Sequence, residues 1–217
     1  MRNWNKGYLE WSQRNRITRY AEPILIHLYS EVLMKFRAAA QGKGPSRRPP
    51  AHLAERVETY FDPLPFYYDP LECQATDKHT YPLAAVTQRP MAMYHSWDSQ
   101  NAWLRQIHAH NVLFVSPVTA KNAGIDADDW IWVESQWGKV RCMAKYSEAV
   151  EPGTVWTWNA IGKAAGAWNL TPRSNEARKG FLLNHLISEE LPGSEGPISN
   201  SDPVTGQAAW YDVRVRI

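Results

Sequence analysis

One stretch of the sequence, RPMAMYHSWDSQNAWL from Arg89 to Leu104, concentrates side chains that can bind a polar ligand. It holds a histidine, a tyrosine, two tryptophans and several amide and hydroxyl groups, but only one acid and one cation. Amides, hydroxyls and imidazoles form hydrogen bonds in several directions, and an aromatic ring covers the face of a heterocycle. Arg89 offers a guanidinium fork to a phosphate, while the shortage of carboxylates avoids repelling an anion. This composition predicts an aromatic-lined site for a large heterocycle with a phosphate tail.

Acid–base catalysis at this loop depends on His95, since a histidine titrates near neutral pH. A catalytic histidine needs an orienting partner, and only Asp98 lies nearby in the sequence. We therefore interpret His95 as a ligand contact and predict no catalytic residue in this chain.

Metal binding and nucleotide-loop motifs find little support elsewhere in the sequence. His108 and His110 are two positions apart, which places them on different faces of a helix, and a metal site needs further ligands. Cys73 and Cys142 form no CxxC motif, and Cys142 is interpreted as a small buried residue with an inert thiol. GxGxxG, GxxxxGK[ST] and GxSxG are all missing from the sequence. We predict no metal site.

Composition sets broad limits on what the chain does. Its 217 residues are 44% hydrophobic and 12% aromatic, enough to bury a full domain core. The formal net charge is only +2, and the cations are spread along the chain, so no nucleic-acid partner is indicated. MRNWNKGYLEW lacks the apolar core of a signal peptide, and no segment reaches the ~20 apolar residues of a membrane span. The expected location is cytoplasmic, or periplasmic if the full-length protein carries an export signal.

The first 80 residues have helical and proline-rich patterns. Apolar residues recur at helical spacing from Glu22 to Ala40, with Pro23 suited to the first turn. QGKGPSRRPPAH then predicts a linker, AHLAERVETYF a second short helix, and DPLPFYYDPLE an extended apolar segment. The predicted organisation is a helical and extended segment over residues 1–80 and a β domain over residues 81–217.

After Tyr81 the pattern changes to short strands. Strands are predicted in YPLAAVT, NVLFVSP, DDWIWVESQWGKVRCMAKYSE, GTVWTWN and AWYDVRVRI. The third of these forms a hairpin, with Gly138 available for a positive φ in the turn and with Ile131 and Val133 on one face. A compact helix is predicted after Ser116, ending at Gly124. Short strands mixed with small helices predict a closed or nearly closed β-barrel.

The order of these features resembles the carboxy-terminal dinucleotide-binding domain of the molybdopterin oxidoreductases, the dimethyl sulfoxide reductase family. The resemblance covers residues 81–217 and is most specific in VSPVTAKNAGIDADDWIWVESQWGKVRCMAKYSEAVEPGTVW. It implies a mainly β fold, a double-psi β-barrel of the aspartate decarboxylase-like type, with short helices and a preceding helical and proline-rich extension. YSEVLMKFRAAAQGKG and YFDPLPFYYDPLE further resemble the polysulfide, thiosulfate and sulfite-oxidising catalytic subunits.

The resemblance also implies a cofactor and a set of binding residues. The cofactor is one molybdopterin guanine dinucleotide of a bis-pterin molybdenum or tungsten centre, whose metal ligand and any iron–sulfur cluster belong to earlier domains. The residues expected to face it are Thr87, Gln88, Arg89, Tyr94, His95, Ser96, Trp97 and Asn184, the last in NHLI. Trp210-Tyr211-Asp212 departs from the lysine common in the family, and SEELPGSEGPISNS is longer than the usual link and is interpreted as a surface loop.

The implied function is cofactor binding within the carboxy-terminal part of an oxidoreductase catalytic subunit that is not catalytic by itself. Its implied partners are the remainder of that subunit, an iron–sulfur electron-transfer subunit, and a membrane-anchor subunit. One alternative is a cofactor-free β-barrel that binds another protein. A decarboxylase use of the same barrel needs a self-processing Gly-Ser pair at a strand end, whereas Gly193-Ser194 lies in the polar loop.

Overall fold

The computed structural model describes residues 6–16, 29–94, 97–99, 101–159, 161, 171, 173–175, 178–193, 196–208 and 213–217. The chain divides into two compact units, Met1–Tyr68 and Asp69–Ile217. The predicted domain boundary at residues 80 and 81 falls within the second unit and stays a prediction about domains. In the part of the chain that is described, no helix is both long and apolar enough to cross a membrane.

The first unit is helical. Its helices are α1 (Lys6–Arg14), α2 (Glu31–Ala40) and α3 (Ala51–Tyr60), and α1 was not predicted. Helix α2 packs on α3. Phe36 meets Phe61 edge to face at 5.9 Å, and Arg37 Nη1 lies 2.7 Å from Asp62 Oδ2. The proline-rich linker between α2 and α3 contains neither helix nor strand, as predicted.

Helix α2 is shorter than the sequence predicts. It begins at Glu31, whereas Tyr29 and Ser30 are not helical. Ser30 has extended backbone angles, and its N–H donates to the carbonyl oxygen of Pro63 at 2.8 Å, outside any helix. The predicted start at Glu22 is therefore wrong for residues 29 and 30, while residues 22–28, with Pro23, lie outside the described residues.

The second unit is mainly β. Its strands are β1 (Leu83–Gln88), β2 (Val112–Val115), β3 (Trp130–Glu134), β4 (Lys139–Tyr146), β5 (Thr154–Trp158), β6 (Glu190–Leu191), β7 (Ile198–Ser199) and β8 (Val213–Val215). Six of them form one sheet in the order β3-β4-β2-β5-β1-β8, and β6 pairs with β7. Short helices accompany them: α4 (Leu71–Ala75), α5 (Ala102–Ile107), α6 (Pro117–Ala123) and a 3-10 helix (Leu183–Leu186). The predicted mainly β fold with short helices is confirmed.

The six-stranded sheet curls until its two edge strands meet. Glu134, at the end of β3, forms an antiparallel bridge with Arg216, just after β8. Their backbone groups exchange hydrogen bonds of 3.0 and 2.9 Å, and Arg216 Nη2 lies 2.9 Å from Glu134 Oε2. The apolar core inside includes Leu83, Ala85, Leu113, Val115, Ile131, Val133, Val140, Cys142, Ala144, Val155, Val213 and Val215. Alternate residues of each strand supply this core, as period-2 patterning requires.

The predicted β3–β4 hairpin is confirmed, but its glycine plays a different role. Ile131 and Val133 are buried while Trp130 and Trp132 are exposed on the other face. Gly138 is not among the glycines with positive φ. A Cβ atom there would instead collide with the carbonyl oxygen of His185, in the 3-10 helix. The predicted positive φ is therefore wrong, because close approach of another backbone, rather than turn geometry, requires glycine.

Capping residues determine two of the short helices. In α6 the Thr119 N–H donates to Ser116 Oγ at 3.1 Å, and Gly124 ends the helix with φ of 67°, as predicted. Helix α5 was not predicted. Asn101 caps it by accepting the N–H of Trp103 at 3.0 Å, and this asparagine was the available signal.

The stretch after the 3-10 helix is not a simple surface loop. Strands β6 and β7 form a small ladder within it, and both Leu191 and Asn200 are buried. Asn200 Nδ2 donates to Glu72 Oε2 at 2.9 Å. Most described residues of this stretch are exposed, as predicted, but the prediction of a simple loop is wrong at β6 and β7, where Leu191 and Asn200 are buried.

Candidate functional site

The carboxyl ends of β1 and β5 lie side by side because these strands are parallel neighbours. Thr87 pairs with Thr157, and Gln88 pairs with Trp158. The Asn159 N–H continues the ladder by donating to the Gln88 carbonyl oxygen at 2.8 Å. Alternation along the strands directs Thr87, Thr157 and Asn159 toward the inner face of the sheet.

Four inner-face residues at these strand ends form what we call the polar layer. They are Thr87, Asn111, Thr157 and Asn159, and Asn111 directly precedes β2. The layer lies beyond the apolar residues of the same strands, such as Ala85, Leu113 and Val155. It is the point where the interior changes from apolar to polar.

Two members of the polar layer, Thr157 and Asn111, are hydrogen-bonded to each other. The Thr157 hydroxyl donates to Asn111 Oδ1 or to the Val112 carbonyl oxygen, each 2.9 Å away. Asn111 Nδ2 donates to the carbonyl oxygens of Trp158 at 2.9 Å and Phe181 at 3.4 Å. The Asn111 N–H donates to the carbonyl oxygen of Lys179 at 2.8 Å. Asn111 therefore fastens the end of β5 to the segment that leads into the 3-10 helix.

The other two members, Thr87 and Asn159, each have a side-chain oxygen without a hydrogen-bond partner in the described structure. Thr87 is only 6% exposed, yet Thr87 Oγ1 and Asn159 Oδ1 are buried atoms that find no partner within the described structure. Nearly all buried polar groups in proteins have a partner, and an unmet one costs about 1–3 kcal/mol. These orphaned oxygens fit a ligand that brings polar groups to the strand ends.

The loop after β1 is anchored by buried residues and exposes the predicted contacts. Pro90 and Met93 are buried, whereas Tyr94 is 62% and Trp97 72% exposed. Gln88 and Arg89 are exposed at the strand end. The loop that follows β1 thus exposes a cation and two aromatic rings, while His95 and Ser96 lie outside the described residues.

Asp98 has a structural role in this loop. Its Oδ2 accepts the Tyr94 N–H at 2.8 Å, and the Trp97 N–H donates to the Tyr94 carbonyl oxygen at 3.1 Å. The carboxylate nearest to His95 in the sequence therefore closes a turn.

Asn184 is exposed on the 3-10 helix, whose Leu183 and Leu186 are buried in the core. Ser135 Oγ donates to the Leu186 carbonyl oxygen at 2.7 Å and fixes the far end of this helix. In the described part of the chain, no hydrogen bond joins Asn184 to the β1 end. The connection between them runs through Phe181 and the Asn111 side chain.

Reactive groups are scarce in the described ranges. No group of three or more His, Cys, Asp and Glu side chains there could hold a metal ion. Burial raises the pKa of the Cys142 thiol to about 12, which keeps it protonated and unreactive, as predicted. His108 packs against Trp158 with ring centroids 5.3 Å apart. The arrangement can bind and orient a ligand.

Sequence reasoning missed Asn111 and Asn159. Both are asparagines directly next to strong strand patterns, before VLFV and after TVWTW. Their proximity depends on strand order and register, which place the start of β2 beside the end of β5. The only local signal was a polar residue in the inward phase of each strand.

Comparisons with known proteins identify the family of this chain. Residues 83–199 match the model of the family described as "Molydopterin dinucleotide binding domain". The chain is 70% identical over 219 residues to a sulfite dehydrogenase chain of Allochromatium vinosum, a match covering 100% of this chain and 23% of that protein. It is 32% identical over 152 residues to a putative dimethyl sulfoxide reductase catalytic chain of Halobacterium salinarum, covering 68% of this chain and 16% of that protein.

A solved structure supports the fold. Acetylene hydratase from Pelobacter acetylenicus superposes with a TM-score of 0.54 at 22% identity, covering 71% of this chain and 21% of that chain. The chain spans less than a quarter of the length of these relatives. The family match runs from β1 to β7 and includes all four residues of the polar layer. The chain therefore belongs to the molydopterin dinucleotide binding domain family.

Proposed function

We propose that the ends of β1 and β5, together with the loop after β1, hold the pterin and pyrophosphate of one molybdopterin guanine dinucleotide. The observation that carries this proposal is the pair of orphaned oxygens, Thr87 Oγ1 and Asn159 Oδ1, inside the matched family domain. A polar ligand would meet their hydrogen-bonding capacity, which the chain leaves unused.

Each exposed residue of the site has a role suited to its chemistry. Arg89 binds the pyrophosphate through its guanidinium fork. Tyr94 and Trp97 cover the faces of the heterocycle. Asn184 supplies a donor and an acceptor to the pterin edge. When bound, the cofactor supplies two-electron redox chemistry at its molybdenum or tungsten, while these side chains hold and orient it.

The same proposal includes a double-psi β-barrel. Pairing across the sheet alternates from edge to edge as antiparallel, parallel, antiparallel, parallel and antiparallel. The halves β3-β4-β2 and β8-β1-β5 therefore have equivalent pairing patterns, as expected of two interlocked copies of one motif. The bridge between Glu134 and Arg216 supports closure.

For the whole protein, we extend the proposal to an oxidoreductase resembling the sulfite dehydrogenase relative. The metal ligand and any iron–sulfur cluster belong to the preceding domains of the catalytic subunit, so this chain does not turn over alone. The proposed partners are the remainder of that subunit, an iron–sulfur electron-transfer subunit, and a membrane-anchor subunit. The proposal includes a cytoplasmic location, unless the full-length protein carries an export signal.

Cofactor content of the complete catalytic subunit tests the binding role. We expect the purified subunit to release guanine nucleotide and molybdenum or tungsten on denaturation. Arg89→Ala combined with Asn184→Ala should lower the content per chain about tenfold, because bonds to charged groups and a paired amide are lost. Arg141→Ala combined with Asn122→Ala changes the same residue types at exposed positions outside the site and should leave the content unchanged. Equal content in both double variants would contradict the assignment.

A further inference from the structure

We infer that Asn159, which neither the family resemblance nor the comparisons assign, contacts the ligand through its side-chain carbonyl oxygen, next to the Thr87 hydroxyl. This inference rests on the proposed function and specifies which part of the dinucleotide lies at the polar layer. Asn159 directly follows β5, and its N–H donates to the Gln88 carbonyl oxygen at 2.8 Å. The backbone at this position is thus fixed against the end of β1.

Asn111 shows that the protein itself can provide hydrogen-bond partners for an asparagine in the polar layer. Asn111 is 5% exposed, and its side-chain oxygen and nitrogen and its backbone N–H all form hydrogen bonds. Asn159 as a residue is only half-buried, but its Oδ1 atom is buried and has no partner in the described structure. The two asparagines lie at adjacent strand ends, and the protein provides a hydrogen-bond donor for the side-chain oxygen of Asn111 but not for that of Asn159. Unlike Asn200 Oδ1, whose orientation is determined by the Glu72 carboxylate, Asn159 Oδ1 has no neighbouring carboxylate in the polar layer to explain its lack of a donor, and a group from outside the chain can supply one.

A second orphaned oxygen strengthens this argument. Thr87 Oγ1 lies on the neighbouring strand, since Thr87 pairs with Thr157 and Asn159 is two residues beyond Thr157. A threonine hydroxyl can donate and accept, whereas an amide oxygen only accepts. Both oxygens find a partner if the ligand donates a hydrogen bond to Asn159 Oδ1 and either donates one to the Thr87 hydroxyl or accepts one from it.

This requirement discriminates among the parts of a dinucleotide. An ionised pyrophosphate offers only acceptor oxygens, and two acceptors repel each other. N–H groups of the pterin or guanine and ribose hydroxyls all donate hydrogens. Asn159 therefore meets a ring N–H or a sugar hydroxyl, while the exposed Arg89 remains for the phosphates.

Asn111 acts as a positioning residue for this contact. Asn111 Nδ2 donates to the carbonyl oxygen of Trp158, one residue before Asn159, and to the carbonyl oxygen of Phe181. Loss of this amide frees the end of β5 and leaves unmet groups within the protein itself. Its removal therefore affects folding with or without ligand, unlike removal of the Asn159 oxygen.

The experiment compares Asn159→Leu with Asn111→Leu in the complete catalytic subunit, using two readouts. The first is guanine nucleotide released per chain from cofactor-loaded protein. The second is the thermal midpoint of protein made in cells that cannot synthesise the cofactor. We expect Asn159→Leu to lower nucleotide content about tenfold while keeping or raising the cofactor-free midpoint, since an unmet buried oxygen is removed. Asn111→Leu should lower the cofactor-free midpoint. Asn159→Ala, which adds no bulk, should repeat the Asn159→Leu result and serves if the leucine variant is insoluble.

Two results would overturn the inference. One is unchanged nucleotide content in the Asn159 variants, as expected if an ordered water alone meets the oxygen. The other is a fall in the cofactor-free midpoint equal to that of Asn111→Leu, which indicates a purely structural residue. Absence of nucleotide from the wild-type protein would instead reject the proposed function, so the two failures are distinguishable.

Discussion

The second unit contains two buried polar clusters, and the chain satisfies them to different degrees. The first surrounds Glu72 in α4, which is 1% exposed. Its Oε1 accepts Trp137 Nε1 at 2.7 Å, and its Oε2 accepts Asn200 Nδ2 at 2.9 Å. Gln136 Nε2 donates to Thr76 Oγ1 at 2.8 Å beside them. The second cluster is the polar layer, where half of the members keep an orphaned oxygen.

The Glu72 cluster also has one orphaned atom, but that atom has a local explanation. Asn200 Oδ1 lacks a partner in the described structure because the amide nitrogen is turned toward Glu72 and the Ser188 carbonyl oxygen. The Glu72 carboxylate only accepts hydrogen bonds, so the Asn200 amide turns its nitrogen, and not its oxygen, toward Glu72. No carboxylate belongs to the polar layer. One cluster therefore holds three chain segments together, while the other contains two buried oxygens without a partner in the described structure.

The largest expected effect is loss of the Glu72 carboxylate. Glu72→Leu leaves Trp137 Nε1 and Asn200 Nδ2 without their acceptor, and we expect the free energy of unfolding to fall by about 3 kcal/mol. Urea denaturation of cofactor-free protein measures this change. Glu148→Leu, at an exposed position, is the control. Equal losses in the two variants would contradict a holding role for the cluster.

Gly138→Ala should come next. The new Cβ atom meets the His185 carbonyl oxygen, which is backbone and cannot rotate away. We expect a loss of about 1–3 kcal/mol in the free energy of unfolding, as for overpacked sites. Lys139→Ala, at the exposed neighbour, should cost far less. Comparable unfolding curves for the two variants would show that the 3-10 helix can move.

The two threonines of one register pair test the comparison directly. Thr157→Val removes a hydroxyl that is hydrogen-bonded, so we expect a loss of about 1 kcal/mol in cofactor-free protein. Thr87→Val removes an orphaned hydroxyl and should leave stability unchanged or slightly raised. Thermal unfolding of the two variants measures the difference. If Thr87→Val proved the more destabilising variant, the Thr87 hydroxyl would have a hydrogen-bond partner within the folded protein.

The smallest effect concerns Cys142, which lies in the apolar core of the second unit. Burial raises the pKa of Cys142 from 9.0 to about 12, so above pH 9 the unfolded chain loses a proton that the folded chain keeps. Stability contributed by the protonated thiol is present below pH 9 and is lost as pH rises toward 12, by about 1 kcal/mol near pH 9.5 to 10. Cys142→Ala should flatten this part of the stability profile. An unchanged slope would exclude the thiol as its source.

Much of the sheet was predictable because the signals are local. Alternation in WIWVE and caps at Ser116 and Gly124 predicted β3 and α6 correctly. The errors arose where distant contacts override local patterns. Ser30 bonds to Pro63 and delays α2, while the His185 carbonyl oxygen determines why residue 138 is glycine.

The candidate site was predictable only in part for the same reason. The family resemblance indicated the β1 end, and the structure places Thr87 there with an unmet hydroxyl. The roles of the Asn111 and Asn159 side chains depend on which strands are neighbours and in what register. Such information is not contained in any short window of the sequence.

The sheet can close through the bridge between Glu134 and Arg216 only late in the synthesis of this unit. Strand β1 pairs with β8, more than a hundred residues later in the chain, so the ribosome has produced nearly all of this unit before the sheet can close. Until then the outer edges of β1 and β3 expose unpaired backbone groups, which can pair with other chains. Pairings over such sequence distances also form slowly. The nascent unit is therefore most prone to aggregation late in its translation, when chaperones would have the greatest effect on its yield.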